Sequence, residues 1–293
     1  MFQKIIFTFL SFLVLYSCKR VDDKSTTKIE PSEELKVEIT KEENLDLSKE
    51  LKTKYCATSP NIRASFIYIK NGEKISLHRN ATSSVFYVVQ GKGNYNSTKW
   101  NDGDIFTIPY ETIILEAQTD CILYSICDEP LLYYLGVVPD RKIFEAVLYT
   151  KKEIEKNMQL LTDPNAEKNR QGILLGNTST TNSTKTITPT LWSLYNKLPA
   201  HTFQKPHRHN SVAIDYCIYA NKNVYTLIGE KLNEDGTIKN PKRVDWKTKS
   251  VFTTPPGLWH SHHNDGDTDA YVLPLQDAGL YTYQRTLDIQ FVD

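Results

Sequence analysis

His207, His209, His260 and His262 stand in two short stretches whose residue types and spacing could do metal chemistry: Pro206-His207-Arg208-His209 and Pro255-Pro256-Gly257-Leu258-Trp259-His260-Ser261-His262-His263-Asn264. Side chains alternate along an extended strand, so His207 and His209 point to one side and Arg208 to the other. A turn over Pro255 to Gly257 reverses the chain into a second strand on which His260 and His262 again share a face. If both strands line one barrel, three or four imidazoles converge. Neutral imidazole is the usual protein ligand for zinc, copper, iron and nickel, so this convergence reads as a divalent transition-metal site. A lone His-x-His pair reads more simply as solvent-facing or core-satisfied histidines; the second stretch downstream is what turns the pair into a site.

The elements that must position these strands follow from the chain in order. Met1 to Ser17 reads as a targeting segment, with Lys4 before the apolar run Ile5 to Tyr16, which falls short of the ~20 residues that span a bilayer. Leu15-Tyr16-Ser17-Cys18 resembles the lipobox of bacterial lipoproteins. That resemblance implies a signal peptide over residues 1–17, lipidation of Cys18, and an exported lipoprotein held at the membrane by its N-terminal lipid anchor; an ordinary cleaved signal or an uncleaved anchor is the alternative. Residues 18–55 are densely charged and poor in large apolar side chains, which predicts a tether with a short helix near Leu45 to Leu51.

From about Tyr55 short apolar or alternating runs, punctuated by Gly72, Gly91, Gly93 and Asn101-Asp102-Gly103, give the rhythm of an antiparallel barrel or sandwich. Arg141 to Leu161 has an imperfect helical spacing and predicts a connector helix; Asn177 to Thr188 reads as a loop. A second β-rich region runs from Thr190 onward and repeats the first. Aligning His78-Arg79-Asn80 with His207-Arg208-His209 puts Val85-Phe86-Tyr87 opposite Ile214-Asp215-Tyr216. Trp100 precedes Pro109, and Trp246 precedes Pro255, by nine residues each. In this alignment the first copy carries Asn80 and Ile114 at two of the three ligand positions, so it is expected to be metal-free. A longer spacing between the second copy's motifs places an insertion at Lys231 to Asp245.

Composition bounds the function. The 293 residues include 35 basic and 35 acidic side chains and a formal charge of +0, which offers nucleic acid no electrostatic footing. The chain has 17 Tyr, 11 Phe and 4 Trp, which suit a pleated, half-buried surface. The cysteines Cys18, Cys56, Cys121, Cys127 and Cys217 have no zinc-finger spacing; Cys121 and Cys127 are expected to be small buried hydrophobes.

Pro255, Gly257, His260 and Asn264 fill the second cupin motif, Pro-x-Gly-x-x-His-x-x-x-Asn, behind the His-x-His of the first. Over roughly residues 60 to 290 the chain resembles the bicupins around gentisate 1,2-dioxygenase. The resemblance rests on Pro206 to His209, Thr253 to His262, and Leu123-Tyr-Ser-Ile-Cys-Asp128-Glu-Pro130 with Leu135-Gly136. It implies an all-β fold of two cupin (double-stranded β-helix, jelly-roll) barrels: a degenerate one over 56–138, a helical connector and loop over 139–188, and a metal-binding one over 189–293. It also implies one divalent metal on His207, His209 and His260, with iron(II) first and manganese, nickel or zinc as alternatives. The glutamate common to other cupins is absent, since Ala213 and Ile214 occupy its place. Three histidines leave up to three positions of an octahedron open, enough for a chelating substrate and dioxygen.

The implied activity is that of an oxygenase or dioxygenase acting on a small hydroxylated acid, aromatic acids included. His262, which shares the face of His260, is a candidate either for supporting the metal ligands or for acid-base catalysis, and Asp215 and Arg285 are candidate substrate-binding residues. Asp215 stands where these dioxygenases tend to carry arginine, and their catabolic members are normally cytoplasmic, so the leader is a second departure. Two other readings remain at this point: a non-oxygenase cupin, such as an isomerase or hydrolase using zinc or manganese, and a non-catalytic surface lipoprotein that binds a sugar or metabolite. The partner is a small molecule in every case, with no nucleic acid, and the chain is compatible with a homo-oligomer.

Overall fold

The computed structural model describes residues 41–161, 171–180 and 183–292. The predicted signal segment, Cys18 and the tether up to residue 40 lie outside the described residues. The first barrel consists of β1 (Lys41–Asn44), β2 (Arg63–Ile69), β3 (Lys74–Leu77), β4 (Ser83–Gln90), β5 (Gly93–Tyr95), β6 (Thr98–Trp100), β7 (Ile105–Pro109), β8 (Ile113–Ala117), β9 (Cys121–Cys127) and β10 (Leu148–Tyr149). These pair antiparallel into two sheets, β1-β2-β9-β4-β7-β10 and β3-β8-β5-β6.

The second barrel consists of β11 (Gln171–Leu174), β12 (Trp192–Leu198), β13 (Thr202–Phe203), β14 (His207–His209), β15 (Ala213–Tyr219), β16 (Val224–Gly229), β17 (Lys242–Asp245), β18 (Val251–Thr254), β19 (Trp259–Asn264), β20 (Ala270–Gln276) and β21 (Ile289–Phe291). Its sheets run β11-β12-β20-β15-β18 and β17-β16-β19-β14-β21, with β13 also on β19. The repeat is visible in the register: Val85 of β4 lies opposite Thr107, and Ile214 of β15 opposite Thr253, each two residues before its motif proline.

Burial explains why the strands between the barrels lose their alternation. All seven residues of β9 are buried. Cys121 and Leu123 face the lumen of the first barrel, while Ile122, Tyr124 and Ile126 face the second barrel. Both cysteines are free and buried, as expected of small hydrophobes. The shared core joins Phe66, Tyr87 and Tyr124 to Tyr216, whose ring lies 4.8 Å from that of Tyr124 and 5.2 Å from that of Tyr87. Asn61 also donates to Asp277 (2.8 Å) and Thr190 to Asp128 (2.9 Å) across the junction.

Two expectations change. The tether does not extend to residue 55: Lys41–Asn44 is an edge strand paired with β2, because Glu42 lies against buried Arg79 (2.6 Å) and the Ser65 hydroxyl (2.7 Å). The predicted helix near Leu45 is present as the single turn Ser48–Leu51. Within the expected helix from Arg141 to Leu161, the α-helix is confined to Lys151–Gln159. Thr150 caps that helix reciprocally with Glu153, which starts it there, and the residues before it run extended, with Val147 and Thr107 exchanging hydrogen bonds at 2.9 and 3.0 Å.

Candidate metal centre

β14 and β19 are neighbours in one sheet, and His207 sits directly opposite His260. The period of two then carries His209 and His262 onto the same inward face. Ring centroids lie 4.1 Å apart for His207 and His260 and 4.9 Å for His209 and His260. His207, His209 and His260 offer ligand nitrogens within 4.8 Å of one another, the one such group among the described residues. The turn between β18 and β19 is fixed by Gly257 at φ 76, whose N–H donates to the His209 carbonyl at 2.7 Å and so ties the second motif to the first. Asn264, the last residue of that motif, is structural. Its amide donates to the carbonyls of Leu198 (3.0 Å) and Thr268 (2.9 Å), and its oxygen accepts from the Gly266 N–H (3.1 Å).

The tautomers follow from what each ring touches. Nδ1 of His207 faces the Lys205 carbonyl at 3.3 Å, that of His209 the Ser211 carbonyl at 2.8 Å, and that of His260 the Leu258 carbonyl at 3.1 Å. A carbonyl only accepts, so each Nδ1 carries the proton and each Nε2 keeps its lone pair, the arrangement metal-ligating histidines adopt. Burial holds the His209 imidazole below its ordinary pKa, against the pull of the Ser211 hydrogen bond, and favours the neutral form that ligates. Three preset Nε2 donors therefore fit a divalent transition metal. Ala213 lines the cavity and Ile214 packs between the barrels, so neither supplies the glutamate of other cupins.

His262 is set differently. Its Nδ1 meets the Thr226 hydroxyl at 2.8 Å, and that hydroxyl also receives the Trp246 indole N–H at 2.8 Å. Thr226 is fully buried, and its own proton has the His262 Nδ1 as acceptor, which leaves the His262 proton on Nε2. His262 thus presents a donor where the triad presents lone pairs. Trp246 is marked by the repeated spacing to its motif proline, whereas Thr226 plays this part without any motif of its own; only its position opposite His262 in β16 gives it away.

The four histidines line one wall of a cavity of about 400 Å3; Ala213, Asp215 and Thr254 line the facing sheet. Asp215 is buried, accepts from the Thr254 hydroxyl at 2.8 Å, and has its carboxyl pushed up to about 7 by burial. Gln276 also borders the cavity and accepts from Ser211 at 2.9 Å. Arg285 does not: it is the exposed left-handed C-cap of the helix Ala278–Gln284, and Leu287, Ile289 and Phe291 after it are what reach the cavity. The substrate-binding role expected of Arg285 is corrected accordingly.

The first barrel is also corrected in register. Leu77 pairs with Ile113 as His207 pairs with His260, so Leu77, Arg79 and Ile113 stand at the ligand positions, one residue off the sequence alignment. The turn after Pro109 is one residue shorter than that after Pro255, which accounts for part of the shift. His78 is exposed against the Thr112 hydroxyl (2.9 Å), whereas Arg79 is buried on Ser125 (2.6 Å) and over the Phe86 ring (5.4 Å). Phe86, at the place of Asp215, stacks on Phe106 at 4.8 Å, and Trp100 joins that stack at 5.4 Å. The space left beside Arg79 is about 10 Å3.

Two barrels, with the one histidine triad among the described residues placed in the second to bind a metal, make this an all-β protein of the bicupin fold. No family model matches the sequence. A 5-aminosalicylate 1,2-dioxygenase of a Comamonas species is 31% identical over 88 residues, which are 27% of this chain and 23% of that protein. Among solved structures, salicylate 1,2-dioxygenase from Pseudaminobacter salicylatoxidans superposes with a TM-score of 0.64 at 13% identity, covering 81% of this chain and 77% of that one. Its adduct with gentisate gives 0.65 at 13% identity, covering 85% and 76%. An oxalate decarboxylase gives 0.52 at 13% identity, covering 80% and 72%, so the shared fold hosts more than one reaction.

Proposed function

We infer that the protein is a metal-dependent oxygenase, of the iron(II) dioxygenase type, acting on a small hydroxylated acid, aromatic acids included. The observation that carries this reading is the triad of Nε2 lone pairs, which no carboxylate joins among the described residues, facing a cavity of about 400 Å3. The names of the dioxygenases with which the chain shares its fold, or a stretch of sequence, support it. His207, His209 and His260 would hold the metal, and iron(II) there would supply the redox chemistry that allows dioxygen to react with an organic ring.

The chain's own residues do the rest. Apolar side chains such as Leu174, Trp192 and Val272 exclude water from the cavity and hold a flat ligand between the two sheets. His262 keeps its Nε2 proton and donates it as a hydrogen bond to a substrate oxygen on which negative charge develops, with Thr226 and Trp246 holding the ring in place.

Oxygen uptake by the iron(II)-loaded protein against hydroxybenzoates, catechols and hydroxy acids tests this. Uptake should require both iron and substrate, and His262→Ala should keep its metal while losing about 10²-fold in rate. His207→Ala and His260→Ala should lose the metal, and His78→Ala should keep it. Tight zinc binding with no uptake across the panel would overturn the reading. The leader ending at Cys18 supports export and lipid anchoring as part of the same proposal. Cys18→Ser should shift the protein out of the membrane fraction or stall its processing, and an unprocessed cytosolic chain that still begins at Met1 would refute it.

A further inference from the structure

The strand that carries two of the three triad histidines is held mainly from one side. β14 meets β19 at a single residue pair, His207 with His260, and meets β21 at three: His207 with Phe291, Arg208 with Gln290 and His209 with Ile289. The second seam continues past both ends of β14. The Val292 N–H donates to the Pro206 carbonyl (3.1 Å), the Asn210 N–H to the Asp288 carbonyl (3.1 Å), the Asp288 N–H to the Asn210 side-chain oxygen (2.9 Å), and the Asn210 amide to the Thr286 carbonyl (2.8 Å). Across the seam the Arg208 guanidinium donates twice to the Gln290 side-chain oxygen, at 3.0 and 2.7 Å. The Phe291 ring lies 5.8 Å from that of His207 and 19° from parallel to it. β21 is nevertheless the edge of its sheet, three residues long, with Ile289 and Phe291 exposed. A short edge strand of this kind opens at a fraction of the free energy that unfolds the molecule.

The first barrel has the same frame without this seam. After its helix Glu129–Leu135, Asn80 donates to the Val137 carbonyl (3.1 Å), as Asn210 does to that of Thr286 after Ala278–Gln284. Val138-Pro139 follows, and β3 stays the edge of its sheet, with no strand on its outer side among the described residues. The barrel with Leu77, Arg79 and Ile113 at the ligand positions thus goes without the extra strand, and the barrel with the triad has it. We propose that β21 is a clasp on the metal site: its pairing with β14 holds His207 and His209 against His260, and its release is the step through which metal enters and leaves. Ile289, Gln290 and Phe291 are then positioning residues that act through the ligand strand. The proposal rests on the reading that the triad holds a metal, and it goes beyond that reading by giving control of metal exchange to residues outside the ligand set. Three nitrogens must be in place together, so a conformer with β21 lifted and β14 displaced binds metal poorly. Clasp closure and metal binding are therefore linked, and by reciprocity a bound metal must also hold β21 down.

The test uses zinc(II), which takes imidazole ligands and carries out no redox chemistry of its own. In hydrogen exchange of the full chain with and without zinc, the amides of Gln290 and Val292 should exchange about tenfold more slowly in the loaded protein. The amide of Val244 in β17, the opposite edge of the same sheet, should not change. Release of zinc to a chelating dye should be about ten- to a hundredfold faster in Gln290→Pro, which loses the N–H and the strand geometry. Gln290→Val, which gives up the Arg208 bond and keeps the strand, should release at about the wild-type rate. Zinc that leaves β21 exchange unchanged, equal slowing of β17, or wild-type release from Gln290→Pro overturns the clasp. The exchange measurement needs no variant, so it decides the matter even where Gln290→Pro does not fold. The readings fail separately. A protein that takes up no zinc refutes the triad as a metal site and the clasp with it; one that binds zinc without the coupling refutes the clasp alone; one that shows the coupling and consumes no oxygen upholds the clasp and refutes the oxygenase.

Discussion

Asp215 pairs a chemical opportunity with a stability cost. Its carboxyl titrates near 3.8 when exposed and is pushed up to about 7 by burial in the fold. Between those values the folded protein binds the extra proton, so the stability this proton confers is complete below pH 3.8 and is lost as pH rises through 7. Asp215→Asn removes the titration. The metal-free variant should melt with the wild type near pH 4 and above it at pH 8, by up to about 4 kcal/mol on the basis of about 1.4 kcal/mol per pKa unit. Calorimetric melting at pH 4, 6 and 8 checks this, and a difference independent of pH would refute it. Asp277, pushed up to about 6 by burial, contributes a trend of the same sign to both proteins and cancels in the comparison.

The strands that carry the ligands were legible in the sequence because motif and period coincide: alternation aims His207 with His209 and His260 with His262, and the proline-glycine turn announces the reversal. The turn itself is testable. A Cβ on Gly257 would meet nothing within 4 Å, so Gly257→Ala costs only the left-handed backbone, about 1–2 kcal/mol. Because the same residue's N–H holds the His209 carbonyl, metal affinity should also fall, by about tenfold in a chelator competition. Lost stability with unchanged affinity would make the turn a fold element only. Other elements were hidden for definite reasons. β1 has the composition of a tether, and Arg79 and Ser65, the distant partners of its Glu42, hold it as a strand. The helix start at Thr150 was signalled by the Thr-x-x-Glu pattern and masked by the apolar residues before it. Leu77 and Arg79 are the inward residues of the first barrel, but its near copy of the histidine motif draws the eye to His78 and Asn80.

At the scale of the whole molecule, the two barrels share one core rather than a linker. Tyr216 packs against Tyr87, Tyr124 and Phe66, three rings of the other barrel. Tyr216→Ala should therefore cost about 3–5 kcal/mol, as loss of a buried aromatic does, and should lower both barrels together in a single denaturant transition. A variant that unfolds in two steps, the first barrel keeping its wild-type midpoint, would show the halves to be independent.

The filled lumen of the first barrel gives the molecule an internal reference. β4 and β15 hold equivalent places in the two repeats, one over the Phe86, Phe106 and Trp100 stack and the other beside an open chamber. Temperature, solvent and chain are identical for both. In native-state hydrogen exchange, the difference in protection between these strands therefore measures directly how much rigidity a barrel gives up by keeping its interior open.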